Sequence, residues 1–355
     1  MLHMARYVVR SMIASITVVM LVLTVLGGLF TFIGEQDSIG VGHYDVLQAL
    51  LYTAMNLPRF ALESLPAGTL VGAMLGIGAL ARSNEITAMR AAGMSKPRLV
   101  ASVLGGGVLV MVVSLLVNEY VAPQLEQLGD QRKAFAKYQD ISFAGQGGAW
   151  MRDGDNIINV ASQTSAAQFG GLLVFRFGSN GRIEAIGRAA RASNAQSGRW
   201  QVGDYRETRF IGDTTPGSEE GTRELVSPNS GGFLQLAVAG PSQMALQTLQ
   251  AAIDYRRQNG LDTSAYQFAF WSRVARTVAL LVAMLFAIPF GYGLLRSSGS
   301  GARASLGLGI GLLYFFLQRI VESGTLVFGL DPLLLAWVPT LLLAAAAGVL
   351  LWRAR

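Results

Sequence analysis

The residues able to do chemistry are few and far apart. Two histidines occur, His3 near the N-terminus and His43 in a polar loop, and there is no cysteine. A His-based zinc site or a Ser-His-Asp triad needs a denser set than this, and thiol or disulfide chemistry is impossible. No G-x-x-x-x-G-K-[ST] phosphate loop is present, so the chain has no such device for hydrolysing ATP. Asp153 and Asp155 flank Gly154 in the manner of a metal loop, but a hairpin turn explains them more simply, because Asp-Gly is a strong hairpin signal. The serines and threonines around them have no base close in sequence. The chain reads as no enzyme by itself, with no cofactor and no metal of its own.

The elements around these residues are those of a membrane protein. The 355 residues are 52% hydrophobic and only 14% charged, against about 25% charged in soluble domains. A pI near 9.8 is no argument for nucleic acid, because the basic residues gather at the ends of apolar runs. Six uncharged stretches are candidate crossings of about 20 residues each: Ser11–Gly34, Ser64–Ala81, Leu99–Asn118, Thr277–Leu295, Ala304–Gln318 and Pro332–Trp352. The fifth is short and is expected to continue through Arg319 and Glu322 toward Leu330, these two being i, i+3 neighbours able to pair. Arg6 and Arg10 precede the first run as in a signal peptide. That run exceeds the about 7–15 residues of a signal core and has no small-residue cleavage site, so it is read as a retained span.

Lys and Arg in short loops set the orientation. Arg82, Arg90, Lys96 and Arg98 lie between spans two and three, Arg296 and Arg303 between four and five, and Arg353 and Arg355 in the tail. The segment Glu35–Glu63 carries four acids against Arg59 alone. Both termini and residues 82–98 are therefore expected in the cytoplasm, and the long insert Glu119–Arg276 outside. Glu119–Lys137 reads as a helical continuation of span three with a kink at Pro123. WMRDGDNIINV and GLLVFRFGSNGRIEAI then read as hairpins about Asp153-Gly154 and Asn180-Gly181, and the alternation runs on to about Gly232. Leu246–Asn259 reads as a helix stopped at Gly260. The expected fold is an α-helical membrane protein of six transmembrane helices with an inserted all-β domain between helices three and four. Its parts are 1–137, 138–245 and 246–355.

One polar stretch between spans two and three stands out, LARSNEITAMRAAGMSKPR from Leu80 to Arg98. Ser83 or Asn84 can cap a helix there, with Glu85 in its first turn, Gly93 as its stop and Pro97 just beyond. It is either an ordinary loop or a coupling helix that docks on a soluble motor protein. Gly72, Gly76 and Gly78 just before it allow close helix approach, for a moving interface or for static packing.

Three signatures together carry a family resemblance. YDVLQALLYTAMNLPRF leads into LPAGTLVGAMLGIGALARSNEITAMRAAGMSKPRL; NEYVAPQLEQ follows span three; and YQFAFWSRVARTVALLVAMLFAIPFGYGLLR runs from Tyr266 to Arg296. The chain resembles the lipopolysaccharide-export permease family LptF/LptG over nearly its whole length, the LptG branch more than the other.

The resemblance implies a Gram-negative inner-membrane permease in a heterodimer with a homologous permease, LptF, the two forming a V-shaped outward cavity. A cytoplasmic ATPase dimer, LptB, would bind ATP and Mg and drive it. The β domain would be a jellyroll handing lipopolysaccharide to the jellyroll proteins LptC and LptA. Glu85 matches the family's coupling-helix acid, and the ATPase contact would comprise Glu85, Ile86, Met89, Arg90 and Gly93. Arg59, Arg132 and Lys133 fall in regions that line the lipid A entrance; as plain structure they could equally be snorkelling residues at the interface. The sequence departs from the family where relatives carry lysines near the outer end of span one, having Thr31, Asp37 and Ser38 there, and it has Thr277 for a usual proline. Two rival readings remain: a mechanotransmitting subunit that pulls on an external partner without moving lipid, and an anchored assembly scaffold with no ATPase.

Overall fold

In lipid every backbone N–H and C=O must be paired within the chain, so long apolar runs are forced into helices. The computed structural model has helices α1 (Leu2–Gly34), α2 (Val46–Arg82), α3 (Glu85–Ala91), α4 (Lys96–Leu116) and α5 (Ala122–Tyr138) before the insert. After it come α6 (Leu246–Gln258), α7 (Ser264–Gly291), α8 (Ser300–Phe328) and α9 (Pro332–Arg353). The structure describes residues 2–138, 141–142, 149–153, 156–165, 168–178, 181–195, 199–211, 214–226, 240–291, 300–328 and 331–353.

Among the described residues five helical stretches are long and apolar enough to cross a membrane: His3–Ser38, Val46–Arg82, Lys96–Ala134, Ser264–Pro289 and Pro332–Trp352. The helix α8 carries a further, shorter apolar stretch, Ser305–Val321. It continues unbroken to Phe328, as the fifth span was expected to do. Its Arg319, however, reaches Glu63 at 3.0 Å, and the Glu322 side chain lies outside the described residues. Arg296 and the loop 292–299 lie outside them too.

The helix of span three runs into α5 through a π-helical turn, Val117–Val121. Pro123 follows at once; without an N–H it cannot bond the Glu119 carbonyl, and the widened turn takes up the mismatch. The expected kink position therefore coincides with a π-helical turn.

The chain forms two compact units, one of Met1–Asp37, Thr53–Glu126 and Ser264–Arg355, the other of Ser38–Tyr52 and Gln127–Thr263. The core of the helical unit gathers Val8, Met12, Leu70, Met74, Ile77, Met284 and their neighbours, all buried. α1 and α2 meet along glycines. A Cβ on Gly72 would come 2.5 Å from the Ile16 Cα, and one on Gly76 would come 3.0 Å from the Met12 Cα. Small residues thus bring two backbones together where lipid supplies no hydrophobic drive.

In the second unit the insert is one antiparallel sheet of β1 (Ile141–Ser142), β2 (Ala149–Asp153), β3 (Asn156–Ser165), β4 (Gln168–Phe177), β5 (Ile183–Ala195), β6 (Arg199–Ile211) and β7 (Thr214–Val226). The order is β1-β3-β4-β5-β6-β7, with β2 also on β3, so the inserted all-β domain is a meander. Both expected hairpins are present. Asp153 pairs with Asn156 across the first turn and Phe177 with Ile183 across the second, where Gly181 has a φ of 72°. The turn residues Gly154, Asp155 and Asn180, and the stretch 227–239, lie outside the described residues. Ile158, Val160, Leu172, Val174, Ala189 and Val202 are buried at alternate positions, the period-2 mark of one face turned inward.

At the base of this unit the loop after α1 clasps the end of α5. The His43 N–H donates to the Ala136 carbonyl at 2.7 Å. Gly42, with a φ of 60°, lies so close to the Lys137 carbonyl that no Cβ fits there. The helix α6 ends where expected. Leu261 N–H donates to Arg256 O at 2.8 Å and Gly260 N–H to Arg257 O at 3.2 Å, a Schellman closure with Gly260 left-handed.

Candidate functional site

The helix α3 spans two turns, Glu85–Ala91. Asn84 occupies its cap position in the left-handed region, φ 58°, and makes no side-chain capping bond. Ser83, the other expected cap, donates instead to Glu85 Oε1 at 2.8 Å. The C-terminal stop is as the sequence indicated. The Met94 N–H donates to Met89 O and the Gly93 N–H to Arg90 O, both at 3.0 Å, with Gly93 at φ 96°; this is a second Schellman closure. Pro97 lies in the first turn of α4, where its missing N–H costs nothing.

The five residues expected to contact a partner divide between two faces of α3. Ile86 is 4% exposed and Met89 packs against the same core, alongside Met94. Ile86 and Met89 seat the helix on the spans and leave Arg90 and Gly93, with Thr87, Ala88 and Ala91, exposed. Glu85 is half-buried between the two faces. The Tyr7 side chain of α1 lies within electrostatic reach of its carboxylate.

In the helical unit Arg59 is already compensated. Its Nε donates to Glu63 at 3.1 Å, and its Nη1 pairs with Glu126, whose side chain is 5% exposed. Glu63 in turn accepts from Arg319 at 3.0 Å. The four charges, two of each sign, tie α2, α5 and α8 together. Arg273 is 7% exposed and feels the charges of Arg276, Arg59 and Glu119. An apolar cavity of about 530 Å³ opens among α1, α2 and α4, lined by Ile16, Met20, Val25, Leu62, Leu109 and Val113.

Arg132 and Lys133 belong to the other unit. Arg132 is exposed, and the Lys133 ammonium stands 4.4 Å over the Tyr52 ring, a cation–π contact. Lys137, which sequence reasoning passed over, donates to Ser38 Oγ at 2.7 Å and lies 5.8 Å over Tyr44. The signal was available only as one more lysine on the helix face of Lys133.

The β domain holds a charge that sequence reasoning missed altogether. Glu207 is 1% exposed, accepting from Tyr205 Oη at 2.8 Å, Arg209 Nε at 2.8 Å and both Arg176 terminal nitrogens at 3.4 and 3.5 Å. Alternation along β6 puts Tyr205, Glu207 and Arg209 on one face, and register puts Arg176 opposite Ala185, which faces Arg209. Among the described residues no group of three or more His, Cys, Asp or Glu can hold a metal ion.

Comparison with known proteins gives one family. Residues 6–353 match the family model described as lipopolysaccharide export system permease LptF/LptG. The chain is 27% identical over 343 residues to the lipopolysaccharide export system permease protein LptG of Escherichia coli strain K12, covering 94% of each. It is 26% identical over 354 residues to the protein of the same name from Haemophilus influenzae, covering 99% of this chain and 98% of the relative.

Proposed function

Because the chain belongs to the lipopolysaccharide export system permease family LptF/LptG, we propose that it is the membrane half of a motor-driven lipid extractor in the inner membrane of a Gram-negative cell. It takes lipopolysaccharide from the bilayer and passes it outward. Both termini and α3 face the cytoplasm, and the β domain faces the periplasm, in accord with the clustering of Arg and Lys around α3. Its partners are a homologous permease of the LptF type, an LptB-type ATPase dimer that binds ATP and Mg, the jellyroll proteins LptC and LptA, and lipopolysaccharide.

The observation that carries this reading is the construction of α3. Ile86 is sunk into the helical core while Arg90 and Gly93 stay outside, so a push on the outer face is delivered to the spans. Lipopolysaccharide chains resist leaving the bilayer at about 0.8 kcal/mol per CH₂, and the chain carries no phosphate loop; the work must come through such a handle. Arg90 meets the ATPase, and Glu85 orients the contact. The apolar cavity among α1, α2 and α4 offers a dry surface to acyl chains. Arg59, by giving up one of its two carboxylates, serves the lipid's phosphates in the helical unit; Arg132, Lys133 and Lys137 are cations for them in the other unit. The inward apolar face of the sheet then shields the chains on their way.

Co-purification tests the handle. Glu85→Ala is expected to weaken capture of the ATPase or to separate ATP hydrolysis from lipid release; an ATPase fully bound and fully coupled in this variant excludes the docking role. Photo-crosslinkers at positions 59, 133 and 174 should trap lipopolysaccharide only with ATP, and silence at all three removes the lipid path.

A further inference from the structure

Where α2, α4 and α7 meet, a small pocket of about 30 Å³ adjoins the apolar cavity and differs from it in character. The two share Leu62 and Ser114, but the small pocket is also lined by Arg273 and Arg276 of α7 and by Asn118. Arg273 is buried. Arg276, one turn on, sends its Nε to the Ser272 carbonyl at a long 3.4 Å. Among the described residues no carboxylate lines the pocket. Glu119 acts on Arg273 with the opposite sign, Arg276 and Arg59 with the same sign, and Arg59 already has Glu63 and Glu126. Two guanidiniums therefore face the pocket with one carboxylate near them, which is costly among apolar helices unless a further anion enters.

The backbone around the pocket is irregular in two places. Asn118 stands in the π-helical turn Val117–Val121, and Pro66 inside α2 cannot donate to the Leu62 carbonyl. Breaks of this kind within a membrane are tolerated where they line a polar cavity, and π-turns gather at functional sites. Asn118 brings an amide N–H₂ and Ser114 a hydroxyl, both donors. The Thr277 hydroxyl is turned to its own helix, donating to the Arg273 carbonyl at 2.8 Å.

We propose that this pocket is a halide site, holding one chloride between the Arg273 and Arg276 guanidiniums, with Asn118 and Ser114 donating to it. Size selects the ion. One water needs about 10–15 Å³ of such a space, so a monatomic anion fits and a phosphate or sulfate group does not. The ion supplies a second negative charge and holds α4 and α7 together at the pocket. This goes beyond the lipid reading and needs neither lipid nor ATPase, so it stands or falls by itself.

The whole chain, purified in detergent, is examined by chloride NMR line width and by thermal unfolding in chloride, bromide, phosphate and gluconate at one ionic strength. The parent should broaden the chloride line, and bromide should reverse the broadening. Unfolding in chloride should lie about 2–4 °C above that in gluconate, the shift expected of a ligand that binds only the folded state at several times its Kd. Phosphate should match gluconate. Arg276→Gln, at a half-buried position, should weaken chloride binding about tenfold or more, the loss of a charge-assisted hydrogen bond, and abolish the shift. Arg82→Gln, at an exposed position, should change neither. Asn118→Leu touches no charge and should weaken binding about threefold; it decides the matter if Arg276→Gln does not fold. Broadening that bromide does not reverse, equal binding in the variants and the parent, or equal unfolding in chloride and gluconate leaves water as the occupant and overturns the proposal. Phosphate stabilising as well as chloride, and only while Arg276 is present, overturns the halide assignment.

Discussion

Two carboxylates in this chain sit between two arginines, and they differ in what surrounds them. Glu63 in the helical unit joins Arg59 and Arg319, with its side chain 21% exposed and Arg319 52% exposed. Glu207 in the β domain joins Arg176 and Arg209 and is 1% exposed. The partners of Glu207 come from its own and a nearby strand, held by ladder hydrogen bonds. Those of Glu63 include one 256 positions away in the chain, on a separate helix with no ladder between them. The first cluster is open to solvent and the second is enclosed. An added anion would meet, at Glu63, two arginines that water already reaches; at Glu207 it would first have to open the sheet.

The largest effect expected from this contrast is at Glu207. Glu207→Gln keeps the shape and the acceptor but removes the negative charge that the two guanidiniums share. Removing one member of a buried pair costs about 3 kcal/mol, the low end of the usual span because both arginines are partly exposed. Hydrogen exchange of the β4, β5 and β6 amides should then quicken on the order of a hundredfold, at 1.4 kcal/mol per tenfold. Unchanged exchange would mean that the arginines hydrate without it and that the cluster holds nothing.

Neither cluster could be seen in the sequence, although most of the fold could. Spans, hairpins and helix stops are local and act within a few residues: the strands pair on both sides of the two expected turns, and Gly93 and Gly260 stop their helices as their chemistry indicated. Pairing of charges is a tertiary fact. Arg319 bonds Glu63, 256 positions away in the chain, because the fold lays α8 beside α2. Ile86 and Met89 show the same limit on a smaller scale. A two-turn polar helix has too few residues for its apolar side to be told from its contact side, and the structure puts both residues inward.

A smaller effect on stability, with a larger one on lipid, is expected at Glu63. Glu63→Gln removes an exposed-type pair and should shift unfolding by no more than about 1 kcal/mol. It also frees part of Arg59 and Arg319 for another anion, so lipopolysaccharide should be retained more strongly by the purified transporter and released more slowly per ATP. Equal retention in the variant and the parent would place the two arginines off the lipid's path and make the network a static brace.

The smallest effect separates the clusters by salt alone. Raising ionic strength from 0.1 M to 1 M shortens the screening length from about 10 Å to about 3 Å, which acts on charges that solvent reaches and barely on enclosed ones. The Arg319–Glu63 link should weaken by a few tenths of a kcal/mol, in keeping with exposed pairs. Spin labels on α2 and α8 in the cysteine-free chain should show a broader distance distribution. The same salt should leave exchange in β4, β5 and β6 unchanged, because Glu207 is shielded by Tyr205 and the strands beside it. Equal responses of the two clusters would mean that water reaches Glu207 as readily as Glu63, and the division into an open network and an enclosed one would fail.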